Sequence, residues 1–447
     1  MKFTFACVLT VLLALSACVH QMPLSASAEH VPTADTMPDS ANLDSQRDII
    51  LAVANPVTSP SRHAASNLIG YSGAVRYGVG QYAAATIDAL KQHYGLHELA
   101  AWPINTLRLY CAVLEPSPGI SRTHLLETLA ADKRVVLAQP LQDFSVYATD
   151  KHTSTTAKAA TAGVHYNDPY VDLQHGFVGT DAAIAQMDTQ GQGMNIAIVD
   201  TNVDTSHPEL QGRIREIHNM VGATPTAIAP GAHGTEIAGI IAANGNNYQG
   251  FVGMAPKAML SVYTSCWYPP MPQATAHCNS FTLAKALAAI HDSSARIINL
   301  SLGGPADPLL YKMLSQLLSE NRIVLAAMPP NGHMDGFPSN TPGVIVVRSS
   351  NSTPAPPGVI SAPGNDILTT QPKGGYDFVS GSSMAAAHVS GIVALLMSLS
   401  PHLSTHALQD LLLRTSRVSD GMLQVNAAAA INAIAPSKNA RSSPTVK

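Results

Sequence analysis

Hydrophobic and polar positions alternate in distinct ways along the chain. Ile49 to Val53 is a short apolar run of strand length. Between Tyr82 and Tyr94, apolar Ala83, Ile87, Leu90 and Tyr94 recur at a spacing of three or four, with Asp88 and Lys91 on the opposite face. That period predicts a helix. Leu107, Leu109, Cys111 and Val113 alternate with Arg108 and Tyr110, which is strand spacing. Leu125, Leu126 and Leu129 predict a second helix, and Val135 to Ala138 a closing strand. The order strand, helix, strand, helix, strand fits a small α+β domain of ferredoxin-like type over residues 47–148, provided one more strand is hidden.

From about residue 165 the texture changes. Met194 to Val199 is an apolar strand ending at Asp200. Further strands are predicted at 258–263, 296–301, 322–327 and 343–348, and helices at 234–243, 281–292, 307–319, 384–399 and 403–413. Strands alternating with helices predict an α/β domain over 165–435, with a parallel central sheet flanked by helices on both faces. The Thr/Ala/Lys-rich stretch 149–164 reads as a linker and 436–447 as a disordered tail.

Composition narrows the classes. Among 447 residues, 25 are basic and 29 acidic, for a net charge of −4. The basic footprint of a nucleic-acid partner is absent. A hydrophobic share of 46% excludes disorder of the whole chain. Met1-Lys2 precedes a largely apolar run, Phe3 to Leu15, that is too short for the ~20 residues a bilayer requires. It has the form of a signal peptide, 1–17. Leu15-Ser16-Ala17-Cys18 resembles a bacterial lipobox, in which Cys18 becomes the lipidated first residue; cleavage at Ala26-Ser27-Ala28 is the alternative. Either reading sends the protein out of the cytoplasm, to the periplasm or a lipid-anchored place in the envelope, with release after processing as a further outcome. Membrane contact is expected only through Cys18, because no other segment reads as long and apolar enough to cross. Residues 18–46, rich in Ser, Ala, Pro, Asp and His, read as a flexible tether.

Three segments carry candidate chemistry. Asp200 stands at the carboxyl end of a buried strand, the end that forms the ligand crevice in open α/β sheets. His233 opens an apolar helix beside Gly234, which permits close approach. Ser383, in Gly381-Ser382-Ser383-Met384, starts a long helix of small residues whose first N–H groups can face an anion. Singly, these are an ordinary strand end, a capping histidine and an N-cap serine. Together, in the order Asp, His, Ser, they resemble the subtilisin-like serine proteases, or subtilases. Val252-Gly253-Met254-Ala255-Pro256, Ile298 to Gly304, Ser361-Ala362-Pro363-Gly364 and Gly421 to Ala427 match further family segments. The resemblance spans about residues 165–435.

It implies a serine endopeptidase acting on protein or peptide substrates through an acyl-enzyme. Ser383 is the nucleophile, His233 the base and Asp200 its orienting carboxylate. Ser301, Leu302 and Gly303 would pair with the substrate backbone, and Ala326-Ala327-Met328 would wall the primary pocket. The small domain before the catalytic one resembles a subtilase propeptide, a folding assistant and inhibitor released by cleavage in 148–164. No cofactor is needed for the chemistry. Subtilases often bind structural calcium, but no ligand loop stands out here, and no metal site is assigned. A monomer is expected. Cys266 and Cys278, in one Pro-rich loop, are disulfide candidates, while Cys111 reads as a packed hydrophobe. His207 and His388 fall in family motifs and read as structural.

The sequence also departs from the family pattern. Asn202 replaces a usual Gly, and Asn tolerates positive φ best among non-Gly residues. Ala387 replaces a usual Pro. Where the family carries the Asn that completes its oxyanion hole, this chain reads Met328-Pro329-Pro330-Asn331-Gly332. Proline offers neither a side-chain donor nor an N–H. Asn331 is the remaining candidate donor, a turn-forming Asn before Gly332 being the plainer alternative. A pseudoprotease with a defective oxyanion hole, serving as a peptide-binding scaffold, is the second reading of function. An esterase lacks its Gly-x-Ser-x-Gly elbow here.

Overall fold

The computed structural model describes residues 40–56, 80–147, 164–222, 231–269, 275–351, 353–419 and 422–434. The expected signal peptide, Cys18, the tether up to residue 39, nearly all of the 149–164 linker and the 436–447 tail lie outside the described residues. The last part of the expected tether differs from its reading: Ser40 to Asn42 form a 3₁₀ turn, Ser40 is buried, and its N–H donates to the Val221 carbonyl at 3.1 Å.

The small domain runs β1 (Ile49–Ala54), α1 (Gln81–Tyr94), β2 (Leu96–Ile104), β3 (Leu109–Pro116), α2 (Arg122–Ala131) and β4 (Val135–Pro140). Its sheet has the order β2-β3-β1-β4, with every pairing antiparallel. The hidden strand is β2. It sits at the sheet edge, where Pro103 costs no ladder bond to a further neighbour. Leu107, expected on a strand, lies in a turn instead, because Arg108 takes a positive φ of 51° and the strand starts at Leu109.

β1 is fully buried over Ile49–Val53 because both its faces are covered. Ile49, Leu51 and Val53 pack with Ile87, Leu90 and Leu125 under the domain's own helices. Ile50 and Ala52 join Trp102, Cys111 and Val113 on the other face, which packs against the large domain. This explains an apolar run in place of an alternating one.

The large domain holds a seven-stranded sheet in the order β15-β14-β13-β11-β6-β8-β7, with every pairing parallel. Ahead of it in the chain lies a short strand, β5 (Asp143–Val146). The sheet strands are β6 (Asn195–Asp200), β7 (Ile214–Asn219), β8 (Met259–Thr264), β11 (Ile297–Leu300), β13 (Ile323–Ala327), β14 (Ile345–Ser349) and β15 (Ile360–Ala362). Three short strands, β9 (Cys266–Trp267), β10 (His277–Asn279) and β12 (Leu302–Gly303), stand outside it.

Helices α3 (Ala232–Ala242) and α6 (Ser382–Leu399) cover one face, packing on Ile198, Leu325 and Val347. Helices α4 (Ser280–His291) and α5 (Pro308–Ser319) cover the other, over Ala197, Val199 and Val324. Side chains alternate across each strand, so a sheet covered on both faces reads as continuous apolar runs. By length and composition α6 could cross a membrane, contrary to the sequence expectation that no such segment remained. Its apolar length is accounted for by burial at the centre of the core.

Candidate active site

Asp200 ends β6 and is fully buried. Thr201 donates its N–H to Asp200 Oδ1 at 2.6 Å, and His233 Nδ1 lies 2.8 Å from both carboxylate oxygens. The helix bearing His233 comes this close because Gly234 has no side chain. A Cβ there would stand 2.4 Å from the Thr201 carbonyl, and the Gly234 N–H instead meets Thr201 Oγ1 at 2.9 Å. Burial opposes the charged imidazole, but the charge and hydrogen bond of Asp200 outweigh it, so the His233 pKa stands above its ordinary value. With Nδ1 facing a carboxylate, the proton sits on Nδ1 and Nε2 is the free base. Nε2 is buried and has no hydrogen-bond partner among the described residues.

Ser383 is the second residue of α6 and fully buried. Its Oγ donates to the Ser301 carbonyl at 2.9 Å and accepts from the Tyr147 N–H at 3.2 Å. The hydroxyl is thus engaged away from His233.

What engages it is the chain itself. β5 lies antiparallel between β12 and β10, pairing Val146 with Leu302, Ser145 with both Gly303 and His277, and Phe144 with Cys278. Tyr147 then donates its N–H to the Ser301 carbonyl at 3.3 Å and accepts from the Ser383 N–H at 3.4 Å. Its ring lies on Gly303, where a Cβ would come within 2.3 Å of the phenol oxygen. Burial pushes the Tyr147 phenol up to about 12, so it stays neutral. The segment therefore occupies the lane the sequence assigned to substrate at Ser301, Leu302 and Gly303. Sequence reasoning missed β5, a four-residue strand too short for periodicity to reveal.

The loop after β13 is a turn closed by Gly332 N–H on the Pro329 carbonyl at 2.9 Å, with Gly332 at φ 77°. Asn331 is exposed, and its Oδ1 accepts from the His333 N–H at 3.0 Å. Its side chain thus serves the turn, while Asn331 and Tyr147 line the same cleft. Asn202 has no positive φ; its Oδ1 accepts from the Val203 N–H at 2.9 Å.

Cys266 and Cys278 form a disulfide between β9 and β10, stapling the strand that borders β5. Cys111 is free and buried, and burial raises its thiol pKa. His207 bridges the Glu209 N–H and the Gly375 carbonyl. Burial lowers His388 to about 4, and its Nδ1 meets the Met384 carbonyl at 2.8 Å. Among the described residues no three His, Cys, Asp or Glu side chains converge as metal ligands.

Residues 191–435 match the model of the Subtilase family. The chain is 34% identical over 243 residues to thermitase of Thermoactinomyces vulgaris, covering 52% of this chain and 85% of that one. It is also 34% identical over 247 residues to a thermophilic serine proteinase of Bacillus sp. strain AK1, covering 52% of this chain and 59% of that one. Fervidolysin of Fervidobacterium pennivorans shares the fold at a TM-score of 0.68, with 19% identity over 88% of this chain and 62% of its own. A matched segment of more than half the chain, holding a buried Asp–His pair and a serine at a helix start, places this protein in the subtilase family of serine endopeptidases.

Proposed function

We propose that this protein is an exported serine endopeptidase made as a self-processing proenzyme, and that it cuts its own chain between Tyr147 and Ala148. The observation that carries the proposal is the lie of β5 and Tyr147. A strand paired on both sides delivers one carbonyl to the Ser383 N–H. The same carbonyl carbon is the centre a serine oxygen would attack.

The roles follow from the geometry. Ser383 Oγ turns from the Ser301 carbonyl toward His233 Nε2 and loses its proton there as it attacks the Tyr147 carbonyl carbon. Asp200 holds the Nδ1 tautomer and balances the imidazolium charge. The Ser383 N–H stabilises the developing oxyanion. The imidazolium returns its proton to the departing Ala148 amine, and water then hydrolyses the Tyr147 ester by the same base. After the cut, the small domain is an inhibitor whose tail fills the cleft. Lipidation at Cys18 would leave it anchored while the catalytic part departs.

Paired intact masses of wild type and Ser383→Ala, expressed identically, test this. The expected result is a wild-type chain beginning at Ala148 and a full-length variant. Two full-length chains would favour the peptide-binding scaffold, whose support is the donor-poor Pro329-Pro330 turn. Identical trimming of both would assign the cut to another protease.

A further inference from the structure

The disulfide between Cys266 and Cys278 takes no part in the chemistry above, yet it borders the lane in which β5 lies. Cys278 is the middle residue of β10, opposite Phe144 of β5 on one side and Cys266 of β9 on the other. Both cysteines are buried, in the same apolar cluster as Phe144. β10 has three residues and β9 two, at or below the shortest strands that proteins commonly use. Pairing alone holds such strands weakly.

The two ends of β10 are fixed differently. Its carboxyl end runs into α4, where Asn279 Oδ1 accepts from the Thr282 N–H at 3.0 Å and the Asn279 N–H donates to Thr282 Oγ1 at 3.2 Å. At its amino end His277 pairs with Ser145 on the lane side and with Trp267 of β9 on the other. Once β5 leaves, the lane side is empty, and β9 with its covalent link is the neighbour that remains. A cross-link there limits the positions β10 can take, so less ordering is left for the substrate to impose. The lane itself divides by residue. Tyr147 uses both of its backbone groups on Ser301 and Ser383. Val146, Ser145 and Phe144 are the residues that meet β10: the Val146 N–H donates to the Ala276 carbonyl at 3.3 Å, and the other two pair with His277 and Cys278. A substrate therefore uses β10 only through residues upstream of the one at the cut.

We infer that the Cys266–Cys278 disulfide is a positioning element for the reaction: it holds β10 in place as the outer wall of the empty lane, set for the residues upstream of the cut. The inference rests on the peptidase reading above. Its test is kcat and KM of the mature enzyme and of its Cys266→Ala/Cys278→Ala variant on two substrates, acetyl-Phe-Ser-Val-Tyr-p-nitroanilide and acetyl-Tyr-p-nitroanilide. In wild type the longer peptide has the higher kcat/KM. The double variant loses about tenfold on the longer peptide, mostly in KM, and changes less than about twofold on the shorter one. A disulfide that served only the stability of the fold would lower activity on both alike.

If the double variant fails to fold or mature, wild-type enzyme reduced with a water-soluble phosphine takes its place. A chain beginning at Ala148 holds no other cysteine, so a count of two free thiols certifies the reduced form. Equal losses on the two substrates, or no loss on either, overturn the inference, as does a wild type that does not favour the longer peptide. If wild type cuts neither, the peptidase reading itself fails and this inference falls with it.

Discussion

The two sheets of this molecule reach burial by different means. The seven-stranded parallel sheet is covered on both faces by helices of its own domain. The four-stranded antiparallel sheet covers one face with α1 and α2 and leaves the other to its neighbour. There Trp102 meets Phe281 of α4 edge-on, with ring centres 4.8 Å apart. The small domain also caps its neighbour's helices. Gln139 Oε1 accepts from the Leu309 N–H at the start of α5, and the Gln142 carbonyl accepts from the Ser280 N–H at the start of α4. One sheet owns its core, and the other completes its core only by docking. A domain of the second kind depends on its neighbour to bury one face of its sheet.

The largest effect expected lies inside the self-sufficient core. Asp200→Asn should lower kcat of the mature enzyme by roughly 10⁴-fold, because the wrong histidine tautomer is favoured. In wild type the acid limb of kcat/KM should lie above the ordinary histidine pKa. In the variant burial is opposed only by the more minor charge effect of Glu236, so the residual activity should hold to lower pH. A pH–rate profile of both enzymes checks this, and an unmoved limb would detach Asp200 from His233.

The docked sheet should respond at its interface. Trp102→Ala in the uncut Ser383→Ala chain should cost about 3–5 kcal/mol, read from denaturant unfolding of the small domain. A loss below about 1 kcal/mol would mean that the small domain does not depend on its neighbour. A smaller effect is expected in the lane between the two domains. Gly303→Ala should lower kcat/KM for peptides cut after Tyr by roughly tenfold to a hundredfold, because the new methyl occupies the ring's place. Peptides cut after Ala should lose much less.

A pH test follows for the core. Burial raises Glu209 to about 7 in the folded state, against an ordinary value of 4.5. The folded chain therefore holds a proton that the unfolded chain has lost, and stability falls as pH rises between those two values. Glu209→Gln should remove that slope, with a difference of up to about 3 kcal/mol at pH 8. Thermal unfolding across pH 4 to 8 measures it; parallel curves would refute the assignment. The smallest effect is expected at the turn after β13. Asn331→Ala should change kcat by less than about threefold, because its side chain serves the turn. A fall of ~10²–10³ would instead make it the oxyanion donor.

Much of this was legible in the sequence. The apolar runs ending at Asp200 and beginning at Ser383 marked a strand end and a helix start, and both stand where expected. Doubly covered strands write themselves as apolar runs, so five of the seven strands of the parallel sheet were readable; the edge strands β7, which alternates half-buried and exposed positions, and β15, only three residues long, were not. Other strands were less visible. β2 carries Pro103 and polar His97 and Glu98 at a sheet edge, and β5 has four residues and a pattern of its own only once paired.

The sequence by itself determined the alternation of strand and helix, the identity of the chemistry-bearing residues and their order, because period and local backbone needs are written residue by residue. Only the tertiary structure decided which of those residues meet. The 2.8 Å approach of His233 to Asp200, the threading of Tyr147 to Ser383 and the pairing of Cys278 with Phe144 join segments far apart in the chain. Such contacts depend on how helices and sheets pack, and no local pattern records that.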